Sequence, residues 1–182
     1  RGSGAVRIKG FRSQRLLPHL GQTAGQAELI RVLTTPRDTA RRLRALWTLH
    51  STRELSAKRL AGLLRDESEH LRAWAIQLLC ENKKPSAAAR GEFARMARED
   101  KSPIVRMYLA SALTRTPVAQ RTKVLSGLLS HAEDATDPNL PHLYWYATEP
   151  VIAANKTAGI QLLAKTKIPK VRQYITRRLA SK

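Results

Sequence analysis

Two histidines and three carboxylates crowd one short stretch of this chain: His131, Glu133, Asp134, Asp137 and His142. Imidazole nitrogens and carboxylate oxygens are the ligands of a divalent ion such as zinc, so the set is the first place to look for chemistry. A few residues on, Glu149 follows Tyr144, Trp145 and Tyr146, the ingredients of a general base in an aromatic pocket. Both readings meet a plainer one. Carboxylates between helices commonly cap helix starts or carry solvated charge, and nothing in the sequence pairs with Glu149. His19, His50 and His70 stand alone. Glycine-rich phosphate loops, the nucleophile elbow and the His-Glu-x-x-His motif are absent from the sequence. The expectation is therefore no catalytic residue, no cofactor and no metal. His142, Tyr144, Trp145, Tyr146 and Glu149 are instead candidates for a partner surface, together with Lys170, Arg177 and Arg178. Ahead of that reading stands the plainer one, that Tyr144, Trp145 and Tyr146 fill space inside the fold.

The elements that would hold these residues are helices. Ala, Leu and Arg dominate, aromatic residues make up only 5% of the chain, and no stretch shows the strict alternation of a half-buried strand. Apolar residues recur three and four apart, as in Leu60, Leu63 and Leu64 or Val124, Leu125, Leu128 and Leu129. First helices are expected near 25–34, 54–65, 86–99, 117–131 and 156–166. Pro36, Pro103, Pro117 and Pro169 fall where helices should begin, since a missing N–H costs nothing there. Pro150 should kink or end the helix that carries the aromatics.

An internal repeat organises the second helices. Asp38, Asp66 and Asp100 are each followed six residues later by an arginine: Arg44, Arg72 and Arg106. The residue before each arginine is aliphatic (Leu43, Leu71, Val105). A later copy keeps Val171 and Arg172 but has Thr166 at the aspartate position, and the copy between them has Asp137 with Leu143 at the arginine position. The expected fold is all-α, an α-α superhelix or solenoid of about five helical hairpins. Asp38, Arg44, Asp66, Arg72, Asp100, Arg106 and Arg172 are expected to be structural. A buried guanidinium paired with a carboxylate satisfies the polar groups that stacked hairpins leave between their helices. Arg106 is expected to pair with Asp66 or Asp100.

The aspartate and aliphatic–arginine pattern resembles HEAT repeats, and the resemblance implies that each arginine reaches the aspartate of a neighbouring repeat, forming a ladder. From about residue 60 onward, and most strongly after 95, the segments "HAEDATDPNLPHLYWYATEPVIA" and "IPKVRQYITRRLA" are similar to the helical segment of large planctomycete-type proteins. Those are described as membrane-bound dehydrogenases or haem-binding proteins, in which a β-propeller precedes the helices and a cytochrome-c-like domain follows. The resemblance implies an exported or membrane-associated parent protein. This chain has neither the propeller nor a Cys-x-x-Cys-His motif, so haem attachment and dehydrogenase chemistry are not carried over to it.

Charge and length bound the function. The 182 residues hold 33 basic and 14 acidic side chains, a net +19. Residues 1–27 carry five basic side chains and 155–182 carry eight, with no acidic residue in either segment. Residues 1–23 read as a basic N-terminal segment or linker, and 24–182 as the repeat domain. No apolar run is long enough to cross a membrane. The single cysteine, Cys80, cannot form an intramolecular disulfide and reads as a buried thiol. The expected function is a non-enzymatic, monomeric scaffold that binds protein domains flanking it in a longer polypeptide. The second expectation is a nucleic-acid binder akin to HEAT-like DNA glycosylases. It would use basic residues of the first helices (Lys58, Arg59, Arg65, Arg95, Arg98) and of the second (Arg37, Arg41, Arg42, Arg177, Arg178).

Overall fold

Short polar side chains and prolines set where the helices of this protein start. In a computed structural model, which describes residues 19–35, 38–82 and 85–181, Ser56, Ser86, Ser102 and Asn155 each accept a hydrogen bond from the backbone N–H three residues on. Each thereby satisfies one of the donors that a helix start leaves open. Pro103 and Pro169 occupy first helical positions. Pro117 instead precedes a 3-10 turn, Val118–Gln120, and the α-helix begins only at Thr122. Pro36 lies outside the described residues.

Ten α-helices result, and no strand occurs among the described residues: α1 (His19–Thr34), α2 (Thr39–Ser51), α3 (Ala57–Leu63), α4 (Glu69–Leu79), α5 (Ala87–Glu99), α6 (Pro103–Thr114), α7 (Thr122–Leu128), α8 (Leu140–Ala154), α9 (Lys156–Lys165) and α10 (Pro169–Ala180). They form five successive hairpins, an all-α helical repeat. The chain divides into two compact units, one ending at Leu55 and one beginning at Ser56. Helix α1 starts at His19, ahead of the boundary expected at residue 24. Gly21 and Gly25, poor helix formers, obscure that start in the sequence. Residues 1–18 lie outside the described residues.

In the first unit, α1 packs on α2, with Leu33, Ala45, Leu46 and Leu49 buried. Helix α2 ends with Arg53 in the left-handed region, φ 61°. The Arg53 N–H bonds to the His50 carbonyl and the Glu54 N–H to the Leu49 carbonyl, the Schellman arrangement in which glycine is favoured.

In the second unit, α5, α7 and α9 pack side by side, as do α4, α6, α8 and α10, and the two rows close on each other within hairpins. The apolar stripes that spaced the sequence line the seam: Leu71, Ile76, Leu109, Leu113, Leu125, Leu128, Ile152 and Leu162 are all buried. Each such leucine or isoleucine contributes about 2 kcal/mol on leaving water. At Gly127 the α5–α7 contact is so close that a Cβ would lie 2.8 Å from the Ala97 carbonyl carbon.

Candidate functional site: the junction before and along α8

The helix caps define the register of the second helices. Arg42, Arg72, Arg106 and Arg172 are each the residue whose N–H bonds to the carbonyl of the N-cap, at Asp38, Ser68, Ser102 and Ile168 respectively. In all four the guanidinium turns back to a carbonyl near the preceding helix. Arg42 donates to Leu33 (2.8 Å), Arg72 to Asp66 (2.8 Å), Arg106 to Asp100 (2.9 Å) and Arg172 to Thr166 (3.5 Å). Arg44 is therefore not the first-hairpin counterpart. It is exposed, while Arg42 is buried. Asp38 is itself the N-cap, accepting from Arg41 N at 3.1 Å, whereas Asp66 and Asp100 sit two residues before theirs. Counting six from the aspartate thus overshoots in the first hairpin.

The ladder runs forward along the second unit. Arg72 on α4 makes a two-pronged bond to Asp100 before α6, at 2.8 and 2.9 Å. Arg106 on α6 makes the same contact to Asp134 before α8, at 2.8 and 2.5 Å. The expected partners of Arg106, Asp66 and Asp100, offer it no carboxylate contact; Asp100 gives it only a backbone carbonyl. Asp100 combines two duties, accepting from Arg72 and from the Ser102 N–H (3.0 Å). Before α8 those duties split. Asp134 takes the guanidinium, and Asp137 takes the N–H groups of Asn139 and Leu140, both at 2.8 Å. The 3-10 turn Ala132–Thr136 separates the two carboxylates.

Tyr144 completes this junction. Its ring is fully buried, and its hydroxyl donates to Asp134 Oδ2 at 2.6 Å. Burial, reinforced by the neighbouring carboxylate, pushes the phenol well above its usual value, so it remains a neutral donor. For Arg106, burial acts to lower the pKa, but the bonds and charge of Asp134 outweigh it and the net shift is upward. The result is a closed carboxylate–guanidinium–phenol set.

The metal candidates do not converge. His131 Nδ1 lies 2.7 Å from Glu133, but its Nε2 faces the Ala97 carbonyl oxygen at 2.9 Å. Lys170 Nζ on α10 donates to His142 Nε2 at 2.8 Å. Among the described residues no three His, Cys, Asp or Glu side chains are grouped to hold an ion. Glu149, the candidate base, accepts a hydrogen bond from Arg178 on α10 at 2.8 Å.

The step from α8 to α10 lacks the ladder on both sides. Leu143 has replaced the arginine and Thr166 the aspartate, so neither charge is stranded. Other contacts bridge it: Glu149 with Arg178, His142 with Lys170, and Trp145 against Tyr174 with ring centroids 5.4 Å apart. Of the three aromatics offered as space fillers, only Tyr144 is buried. Trp145 is half-buried, and Tyr146 is 62% exposed. Helix α8 continues through Pro150 to Ala154. The carbonyl that Pro150 leaves without an amide partner belongs to Tyr146, on the exposed side of the helix where water reaches it.

Of the basic residues named on first helices, Arg65 is bound to Glu92 (3.0 and 3.2 Å), and Arg95 to Glu92 and Glu99 (2.6 and 2.9 Å). The Arg95 bond, helped by Arg65 and outweighing burial, holds the Glu92 carboxyl down at about 2. Arg37 lies outside the described residues. Cys80 is fully buried at the end of α4, and that burial pushes its thiol up to about 11. No helix among the described residues is long and apolar enough to cross a membrane. No protein-family model, curated protein or solved structure matches the chain.

Proposed function

We propose that this chain is a non-catalytic HEAT-like scaffold whose last hairpin docks onto acidic surfaces of neighbouring protein domains. The observation that carries the reading is the charge of α9 and α10. Between Lys156 and Ala180 there is no carboxylate, while Lys156, Lys165, Lys167, Lys170, Arg172 and Arg177 are exposed. In the hairpins before it, Asp134 is bound by Arg106, Glu149 by Arg178 and Glu133 by His131, while Asp137 caps the start of α8. A positive surface of this kind attracts acidic partners and suppresses basic ones.

The test is fluorescence anisotropy with labelled poly-L-glutamate and with a labelled DNA duplex, on the wild type and on a variant with Lys156, Lys165 and Lys167 changed to Ser. Polyglutamate binding should persist at about 150 mM salt and fall in the variant, while duplex binding should vanish by that salt, as expected of a polycation without a groove. Duplex binding that persists there and exceeds polyglutamate binding would replace the scaffold with a nucleic-acid binder.

A further inference from the structure

The cap register that aligns the ladder arginines also aligns a second set of side chains. Two residues beyond Arg72, Arg106, Leu143 and Arg172 stand Trp74, Tyr108, Trp145 and Tyr174. Four consecutive second helices thus carry an aromatic at the same position, in a chain with only nine aromatics in all. None of the four is in the core; all are half-buried. They meet in pairs, Trp74 with Tyr108 at 6.3 Å and Trp145 with Tyr174 at 5.4 Å between centroids.

Between the pairs the surface is a groove rather than a ridge. Trp74 and Gln77 of α4, Met107, Tyr108 and Ser111 of α6, and Leu143 of α8 line an open cavity of about 410 Å³. Leu143 here stands where other hairpins carry the ladder arginine, so the substitution that ended the ladder also supplied an apolar wall. Basic residues flank the track. Arg115 reaches across to the Gln77 side-chain oxygen at 2.7 and 3.1 Å. Exposed Lys170 and Arg177 lie one turn before and after Tyr174 on α10. The carboxylates on or next to these helices include Glu149, which Arg178 neutralises, Glu69 at the start of α4, which accepts from the Ser102 hydroxyl, and Glu81 beyond the end of α4.

We infer that this face is a docking track for an extended peptide segment that combines acidic and apolar residues. The inference rests on the scaffold reading and adds an apolar groove to it, with Lys170 and Arg177 common to both surfaces. Charge complementarity selects the acidic residues, and the groove of Trp74, Met107, Tyr108 and Leu143 takes the apolar ones. Gln77 and Ser111 offer hydrogen bonds to a peptide backbone. Both ring pairs are tilted by 54° and lean on each other, which leaves less open ring face than the stacking of nucleic-acid bases uses. Packed helices stand about 10 Å apart and an extended chain advances about 3.3 Å per residue, so about three residues should span each hairpin and about nine the whole track.

The test is anisotropy of a fluorescein-labelled peptide of about twelve residues, enough to exceed the track, repeating Glu-Leu-Asp. The folded wild type should bind it, and a peptide with Lys in place of the acids should not bind. Trp74→Ala should weaken binding by about tenfold, as loss of an aromatic anchor does. Ser111→Glu, which leaves the core untouched and sets a carboxylate on the groove wall, should weaken it as well. Circular dichroism checks that both variants are folded. Equal binding by the wild type and both folded variants overturns the inference. So does failure of the wild type to bind, or tighter binding of an oligothymidylate of equal length. The Lys156, Lys165 and Lys167 variant leaves every track residue in place, so its polyglutamate titration reads the charge of the last hairpin, while Trp74→Ala and Ser111→Glu read the groove.

Discussion

Arg106 on α6 and Asp134 before α8 are joined by two hydrogen bonds, with side chains only 2% and 3% exposed. They are 28 residues apart in sequence, the same separation as Arg72 and Asp100. Removing one member of such a pair leaves a buried charge without its counterpart, a far larger cost than losing a surface ion pair. Arg106→Ala should therefore destabilise the protein by about 3–5 kcal/mol in urea unfolding. Exposed Arg44→Ala should stay within about 0.5 kcal/mol of wild type. Similar losses for the two would remove the ladder from the account.

Tyr144 shares the Asp134 carboxylate. Tyr144→Phe keeps the ring in its buried site and deletes only the hydroxyl, so the expected loss is about 1.5–3 kcal/mol, the range for a hydrogen bond to a charged group. A change near zero would mean that water or another donor takes the position.

Two glycines in helices should respond with opposite signs to the same substitution. A Cβ at Gly127 would press on the Ala97 backbone at 2.8 Å, whereas one at Gly91 meets nothing within 4 Å. Gly127→Ala is expected to cost about 1–3 kcal/mol through overpacking of α5 against α7. Gly91→Ala should gain up to about 1 kcal/mol from helix propensity. Thermal unfolding of both variants checks the pair.

Cys80 predicts a pH dependence. Its folded pKa of about 11 lies above the reference value of 9.0. The unfolded chain therefore releases the proton first as pH rises. The stabilisation is fully present below about pH 9 and is lost as pH climbs toward 11. Cys80→Ala should show a shallower fall in stability across that window. Under native conditions at pH 8 the thiol should resist a disulfide reagent that labels it rapidly in urea. Equal slopes and ready native labelling would contradict the burial.

Much of this architecture is legible in residue order, because helix starts and apolar stripes are local features. Pro103 and Pro169 mark boundaries directly, and Leu125, Leu128 and Leu129 trace a buried face. The ladder is harder because it depends on where a helix is capped. Asp38 caps its own helix while Asp66 and Asp100 precede the cap, which moves the buried arginine from Arg44 to Arg42. Asp137 kept the motif spacing to position 143 and drew attention from Asp134. The signal for Asp134 was a repeated interval of 34 residues, from Asp66 to Asp100 to Asp134, interrupted by the turn inserted before α8. The aromatic alignment is legible as well: Trp74, Tyr108 and Trp145 stand eight residues after Asp66, Asp100 and Asp137, and Tyr174 stands eight after Thr166 at the aspartate position.

The most direct test of the central claim, that Asp134 joins two hairpins through Arg106 while Asp137 caps α8, is a pair of double-mutant cycles on unfolding free energy. One couples Arg106→Ala with Asp134→Ala, the other Arg106→Ala with Asp137→Ala. The account predicts a coupling of about 2–3 kcal/mol in the first cycle and below about 0.5 kcal/mol in the second. Coupling to Asp137 and none to Asp134 would contradict it.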